Sequence, residues 1–97
     1  MEVEDRALEA KKRGNAHYKK KEYDEAIACY EEAITINPKE ITYWGNKIAV
    51  LTTQKKYDDG HKVVQEALDI YKDLDYADKD FKKLGKIYFR RARLFEL

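Results

Sequence analysis

An all-α fold of stacked helix pairs is predicted from three observations. Ala, Glu, Lys and Leu abound, whereas the chain has only four glycines and one proline, the two residues that most oppose helix interiors. Apolar side chains recur at intervals of three and four along nearly the whole chain. Pieces of sequence also return after 34 residues: Tyr23-Asp24-Glu25 as Tyr57-Asp58-Asp59, and Ala33-Ile34 as Ala67-Leu68. Ninety-seven residues make room for one domain, 1–97.

Five helices are expected, over about 4–20, 24–36, 41–53, 58–72 and 78–95. In the first, Lys11 and Asn15 lie one turn apart on the same face. The second places Ala26, Ile27, Tyr30, Ala33 and Ile34 on one face, with Asp24 and Glu25 in the first turn, where the helix dipole favours acids. Asn37-Pro38 ends it, because the residue before proline is pushed out of the α region. The third contains the longest aliphatic run, Ile48-Ala49-Val50-Leu51, far short of the ~20 residues that span a bilayer. The fourth repeats the acidic opening turn of the second. In the fifth, Phe81, Leu84, Tyr88, Ala92 and Phe95 form a stripe expected to dock on the fourth and third helices. Lys82, Lys86, Arg90 and Arg93 are expected to cover much of the remainder as a solvated cap.

Composition narrows the function. The chain is 43% apolar and 40% charged, with net charge +1 and mean hydropathy −0.86. That balance opposes generic nucleic-acid binding, although the cationic surplus sits in residues 75–97. An acidic N-terminus without an apolar core shows no secretory signal. A single cysteine, Cys29, allows no internal disulfide and suits a reducing, cytoplasmic setting. No phosphate-binding loop, nucleophile elbow or C-x-x-C occurs. His17 and His61 lie on different helices with no cysteine near either. No metal, cofactor or catalytic constellation is expected, and the chain reads as a non-enzyme.

A 34-residue period with two helices per unit is the signature of the tetratricopeptide repeat (TPR). Gly14-Asn15-Ala16-His17-Tyr18, Tyr23-Asp24-Glu25-Ala26-Ile27, Tyr30, Ala33 and Pro38 resemble a near-consensus unit of that family. The resemblance implies a right-handed solenoid of antiparallel helix pairs with repeat one at 7–40, repeat two at 41–74 and a partial repeat three at 78–97. Repeat two keeps Trp44, Tyr57 and Ala67 but has Ile48 for the glycine and Gly60 for an alanine. Gly85 with Tyr88 resembles the start of a third unit, displaced by three residues.

First helices of such units line the concave groove of the solenoid, where binding usually occurs. Lys11 and Asn15, Asn46 with Thr42 one turn before it, and Lys79 with Lys83 would converge there. Three cations and two amides, with no acid among them, suit a carboxylate. Asn is a poor helix former, so Asn15 and Asn46 are the sharper signals.

Lys11-x-x-Gly14-Asn15, Thr42-Tyr43-x-x-Asn46 and Lys79-x-Phe81-x-Lys83-x-Gly85-x-x-Tyr88 resemble the two-carboxylate clamp of co-chaperone TPR domains. That resemblance implies capture of the C-terminal Glu-Glu-Val-Asp tail of seventy- or ninety-kilodalton heat-shock proteins. Lys11, Asn15 and Asn46 would hold the terminal carboxylate, and Lys79 the terminal Asp side chain. Lys83 would support the peptide backbone or that same side chain. Tyr18 and Thr42 would line the side-chain pocket, with Tyr18 against the Val. Lys83 stands where the family usually has Arg, whose planar fork Lys cannot copy. Nucleic acid and membrane are not expected partners; the alternative readings are a TPR scaffold that acts by self-association or helix pairing without a free C-terminus ligand, and the regulatory TPR segment of a larger enzyme. Ile87, Leu94 and Leu97 form a second, ragged stripe expected to lie exposed and to mediate self-association, giving a homodimer through the last helix.

Overall fold

The connections between helices are made by the same device twice. Lys21 and Lys55, 34 residues apart, both adopt left-handed backbone, with φ 63° and 62°. In each case the following amide reaches back five residues, Glu22 N–H to the His17 carbonyl and Lys56 N–H to the Leu51 carbonyl, both at 2.9 Å. The Lys21 and Lys55 amides close the inner bond to Tyr18 and Thr52. These are Schellman closures, which satisfy the last carbonyls of a helix and turn the chain sharply.

The structure, a computed structural model, describes residues 2–95. Five α-helices follow in order: α1 (Val3–Lys19), α2 (Tyr23–Ile36), α3 (Ile41–Thr53), α4 (Tyr57–Lys72) and α5 (Phe81–Phe95). They form an all-α solenoid in which α1 pairs with α2, α3 with α4, and α5 lies across α3 and α4. Small residues set the close crossings: Ala7 and Ala10 on α1, Ala26 and Ala33 on α2, are fully buried. A Cβ added at Gly14 would stand 2.6 Å from the Tyr30 ring, so that helix pair tolerates nothing larger than hydrogen there. The seam between the pairs is held by Trp44, whose indole N–H donates to the Pro38 carbonyl at 3.0 Å.

The fifth helix departs from expectation twice. It starts at Phe81 rather than 78, because the Asp80 carboxylate accepts the Lys82 and Lys83 amides and so caps the helix there. A short 3-10 turn, Tyr76–Asp78, precedes it. Its faces are also largely exchanged, although Leu84 of the expected stripe does pack half-buried against the core. Ile87 and Leu94 are the buried residues, whereas Phe81, Tyr88 and Phe95 are 66%, 45% and 71% exposed. The reason lies on the helices beneath. Ile87 approaches Gly45, and Leu94 fills the space above Gly60, where a Cβ would meet Leu94 Cδ2 at 2.8 Å. Compact aliphatics fit these two notches better than rings do. Ile87 and Leu94 are therefore interior residues of one chain and present no surface for a second copy; Leu97 lies outside the described residues.

Candidate functional site

The groove runs between α1, α3 and α5. Its upper hollow, of about 230 Å³, is bounded by Thr42 and Asn46 from α3 with Lys83, Lys86, Phe89 and Arg90 from α5 over an Ile41, Gly45, Ile87 floor. A second, of about 220 Å³, joins Asn15, Tyr18 and Tyr30 to Asn46, Ala49, Val50 and Arg90. The two share Asn46 and Arg90.

Asn15 is oriented by a residue that its sequence neighbourhood does not reveal. The Tyr30 hydroxyl donates to Asn15 Oδ1 at 2.5 Å. With the carbonyl oxygen so engaged, the amide NH₂ is the group left for the groove. Burial pushes the Tyr30 phenol up to about 12, against a smaller opposing pull from Arg90. The phenol therefore stays protonated, and a donor, throughout the physiological range.

Asn46 comes to the same hollow from the half-buried face of α3. Thr42, one turn earlier, is a hydrogen-bonded member of the upper hollow rather than an open contact. Its hydroxyl donates to Glu40 Oε2 at 3.1 Å, and its amide to the same oxygen at 3.4 Å. Tyr18 closes the lower end, its hydroxyl 2.9 Å from Thr53 Oγ1.

The cations are arranged differently from the sequence expectation. Lys83 reaches the upper hollow, but its ammonium donates to Glu40 Oε1 at 2.7 Å. An acid therefore does border the site, contrary to the acid-free set expected. Burial raises the Glu40 carboxyl, but the hydrogen bond and charge of Lys83 and the Thr42 bonds outweigh it and hold it below its ordinary value. Lys79 is not on α5. It precedes the helix in extended backbone, with its ammonium 5.7 Å from the centre of the Tyr71 ring. Lys11 is half-buried one turn before Asn15 and borders neither hollow. Lys86 and Arg90, expected as solvating cover, are the cations that face the amides.

The structure thus gathers Asn15, Asn46, Tyr18, Thr42 and Lys83, and leaves Lys11 and Lys79 at the margins. Tyr30, Glu40, Lys86 and Arg90 are additions. Arg90 was legible in principle, since Lys83, Lys86 and Arg90 share one helical face at i, i+3 and i+7. Glu40 was not, because 43 residues separate it from Lys83. A surface of amide NH₂ groups, ammonium and guanidinium, with apolar walls between, is able to bind a carboxylate-bearing extended chain.

Comparison with known proteins bears on both fold and partner. The family model for the tetratricopeptide repeat matches residues 6–40. The chain is 42% identical over 84 residues to the Hsp70-Hsp90 organising protein of Plasmodium falciparum, covering 87% of this chain and 14% of that protein. It is 34% identical over 85 residues to the STIP1 homolog of Dictyostelium discoideum, covering 84% of this chain and 15% of that one. The chain therefore spans about a seventh of the length of these relatives. Among solved structures, the N-terminal domain of stress-induced protein-1 (STI-1) from C. elegans superposes with a TM-score of 0.84. The two share 29% identity, over 99% of this chain and 73% of that one. Residues 6–40 thus carry a tetratricopeptide repeat, the chain folds like the STI-1 domain, and relatives that match most of its length include Hsp70-Hsp90 organising proteins and their homologues.

Proposed function

We propose that this domain is an adaptor that captures the acidic C-terminal peptide, of Glu-Glu-Val-Asp type, of seventy- or ninety-kilodalton heat-shock proteins. The carrying observation is that Asn15 and Asn46 share one hollow with Arg90, and that Tyr30 fixes Asn15 with its NH₂ free. One oriented amide donor and a second amide beside a cation suit a main-chain carboxylate. Lys83 and Lys86 flank the next stretch of peptide, and Tyr18 with Ala49 offers the apolar contact for the Val. The names of the relatives, Hsp70-Hsp90 organising protein among them, support the same partner class. Lys11 and Lys79 contribute by extending their stems over the bound tail. Lys79 must first leave the buried Tyr71 ring, a contact worth about 0.5–2 kcal/mol.

A binding isotherm tests this with free and C-terminally amidated peptides ending Glu-Glu-Val-Asp. The free acid is expected to bind in the micromolar range, and amidation to abolish most of it. Asn46→Ala should weaken binding at least tenfold with helicity unchanged, since losing a hydrogen bond to a charged group costs about 1.5–3 kcal/mol. Lys79→Ala should cost less than Asn46→Ala. Equal binding of free and amidated peptide would refute the proposal.

A further inference from the structure

A separate hollow, of about 240 Å³, shares Ile41 and Lys83 with the upper end of the groove but has the opposite charge. Glu4 enters it from the first turn of α1, Lys39 and Glu40 from the α2–α3 connection, and Asp78 and Asp80 from the approach to α5. Lys83 is already tied to Glu40. That leaves three carboxylates facing the exposed Lys39. Glu4 and Asp78 make no ion pair among the described residues.

Acids alone do not make a site; Tyr71 is the second observation. It borders the same hollow and is only 7% exposed, and its hydroxyl is buried with no hydrogen-bond partner among the described residues. A buried polar group left unpaired calls for a partner. Burial first, and then the charge of Asp80, push the Tyr71 phenol above its ordinary value. The hydroxyl therefore lies on the Asp80 side, towards the hollow. Lys79 shows that the ring attracts a cation, since its ammonium stands 5.7 Å from the ring centre. When Lys79 turns to a bound tail, that place falls open.

The build of the hollow narrows the cation. No three acidic, histidine or cysteine side chains among the described residues come together closely enough to hold a metal ion. The space also exceeds the ~30 Å³ share of a single water. A guanidinium suits it: planar, weakly hydrated, able to reach separated carboxylates with five donors and to lie against an aromatic ring.

We propose that this hollow receives an arginine side chain of the same chain whose acidic tail lies in the groove. The guanidinium sits among Glu4, Asp78 and Asp80 and donates to the Tyr71 hydroxyl oxygen, whose proton then turns to Asp80. The shared Ile41–Lys83 wall makes the two sites continuous, so a strand leaving the groove passes directly into the acidic one. Only the choice of partner rests on the clamp reading above.

The test is a set of ten-residue free-acid peptides ending Glu-Glu-Val-Asp, with arginine placed in turn at each of the six upstream positions. Those positions cover about 20 Å of extended chain. Each is compared by isothermal titration with its citrulline counterpart, which keeps the shape and loses the charge. At one position arginine is expected to bind three- to tenfold tighter than citrulline. Asp78→Asn should erase that gain while holding the citrulline peptide within twofold of wild type. Tyr71→Phe should reduce the gain two- to threefold, with circular dichroism unchanged for both variants. Absence of a gain at every position, or a gain that survives Asp78→Asn, would overturn the site. The readouts are independent: the arginine-to-citrulline difference reads the acidic hollow, and the free-to-amidated difference reads the clamp.

Discussion

Glu40 holds one cation of the groove in reserve. Its carboxyl accepts Lys83 on one oxygen and Thr42 on the other, so an incoming peptide competes with an internal acid for the same ammonium. The pair is only partly exposed, and pairs that water still reaches are worth about 0.2–1 kcal/mol. Glu40→Gln is therefore expected to tighten binding of an acidic tail by about two- to fivefold, read from the same isotherm. The pH window follows from the lowered carboxyl: the tie is whole above the ordinary carboxylate range and is lost only as pH falls through the depressed value. The Glu40→Gln advantage should thus be constant across neutral pH. Tyr30 has the opposite sign. Its raised phenol contributes stability that is complete below pH 10 and lost as pH climbs towards about 12. Tyr30→Phe should remove that alkaline loss and, by freeing the Asn15 amide to flip, weaken peptide binding severalfold at pH 7.

Elements built on one pattern sit in different surroundings here. Gly14 lies under the Tyr30 ring, whereas a Cβ at Gly85 would meet nothing within 4 Å. Gly14→Ala is expected to destabilise by about 1–3 kcal/mol through overpacking. Gly85→Ala should stabilise by about 0.5–1 kcal/mol, the helix-interior difference between the two residues. Denaturant midpoints of the two variants would show the opposite signs. The left-handed turns at Lys21 and Lys55 offer a further check, since a non-glycine residue there costs about 1–2 kcal/mol. Replacing either lysine by Gly should raise the midpoint. The repeat period was plain in the sequence, as was the stop at Asn37-Pro38. The docking face of α5 was not. Two stripes at helical spacing compete there, and only the notches at Gly45 and Gly60, on other helices, choose the aliphatic one.

Across the whole molecule, the order of helices was legible because each pair is local in sequence, while the groove depends on side chains meeting from three helices. Asn15 and Asn46 were readable as helix-poor residues in need of a reason; the shift of cationic weight from Lys11 and Lys79 to Lys86 and Arg90 needed the angle of α5. That angle leaves Phe81, Tyr88 and Phe95 outward on a helix with six cations and no acid. Face-to-face pairing of two copies would bring those cations together, so a monomer is expected at low ionic strength. Association should grow as salt shortens the screening length from ~30 Å at 0.01 M to ~3 Å at 1 M. Sedimentation at the two extremes checks this, with Tyr88→Glu expected to abolish the salt-dependent species; Leu94→Glu, a charge buried over Gly60, should instead unfold the chain. The seam residue Trp44 carries an optical consequence as well. It is the chain's one tryptophan, buried between the repeats and outside the two groove hollows. Its emission should shift to the red when the two helix pairs part and stay fixed while a peptide titrates, so a single fluorophore separates loss of the scaffold from occupation of the groove.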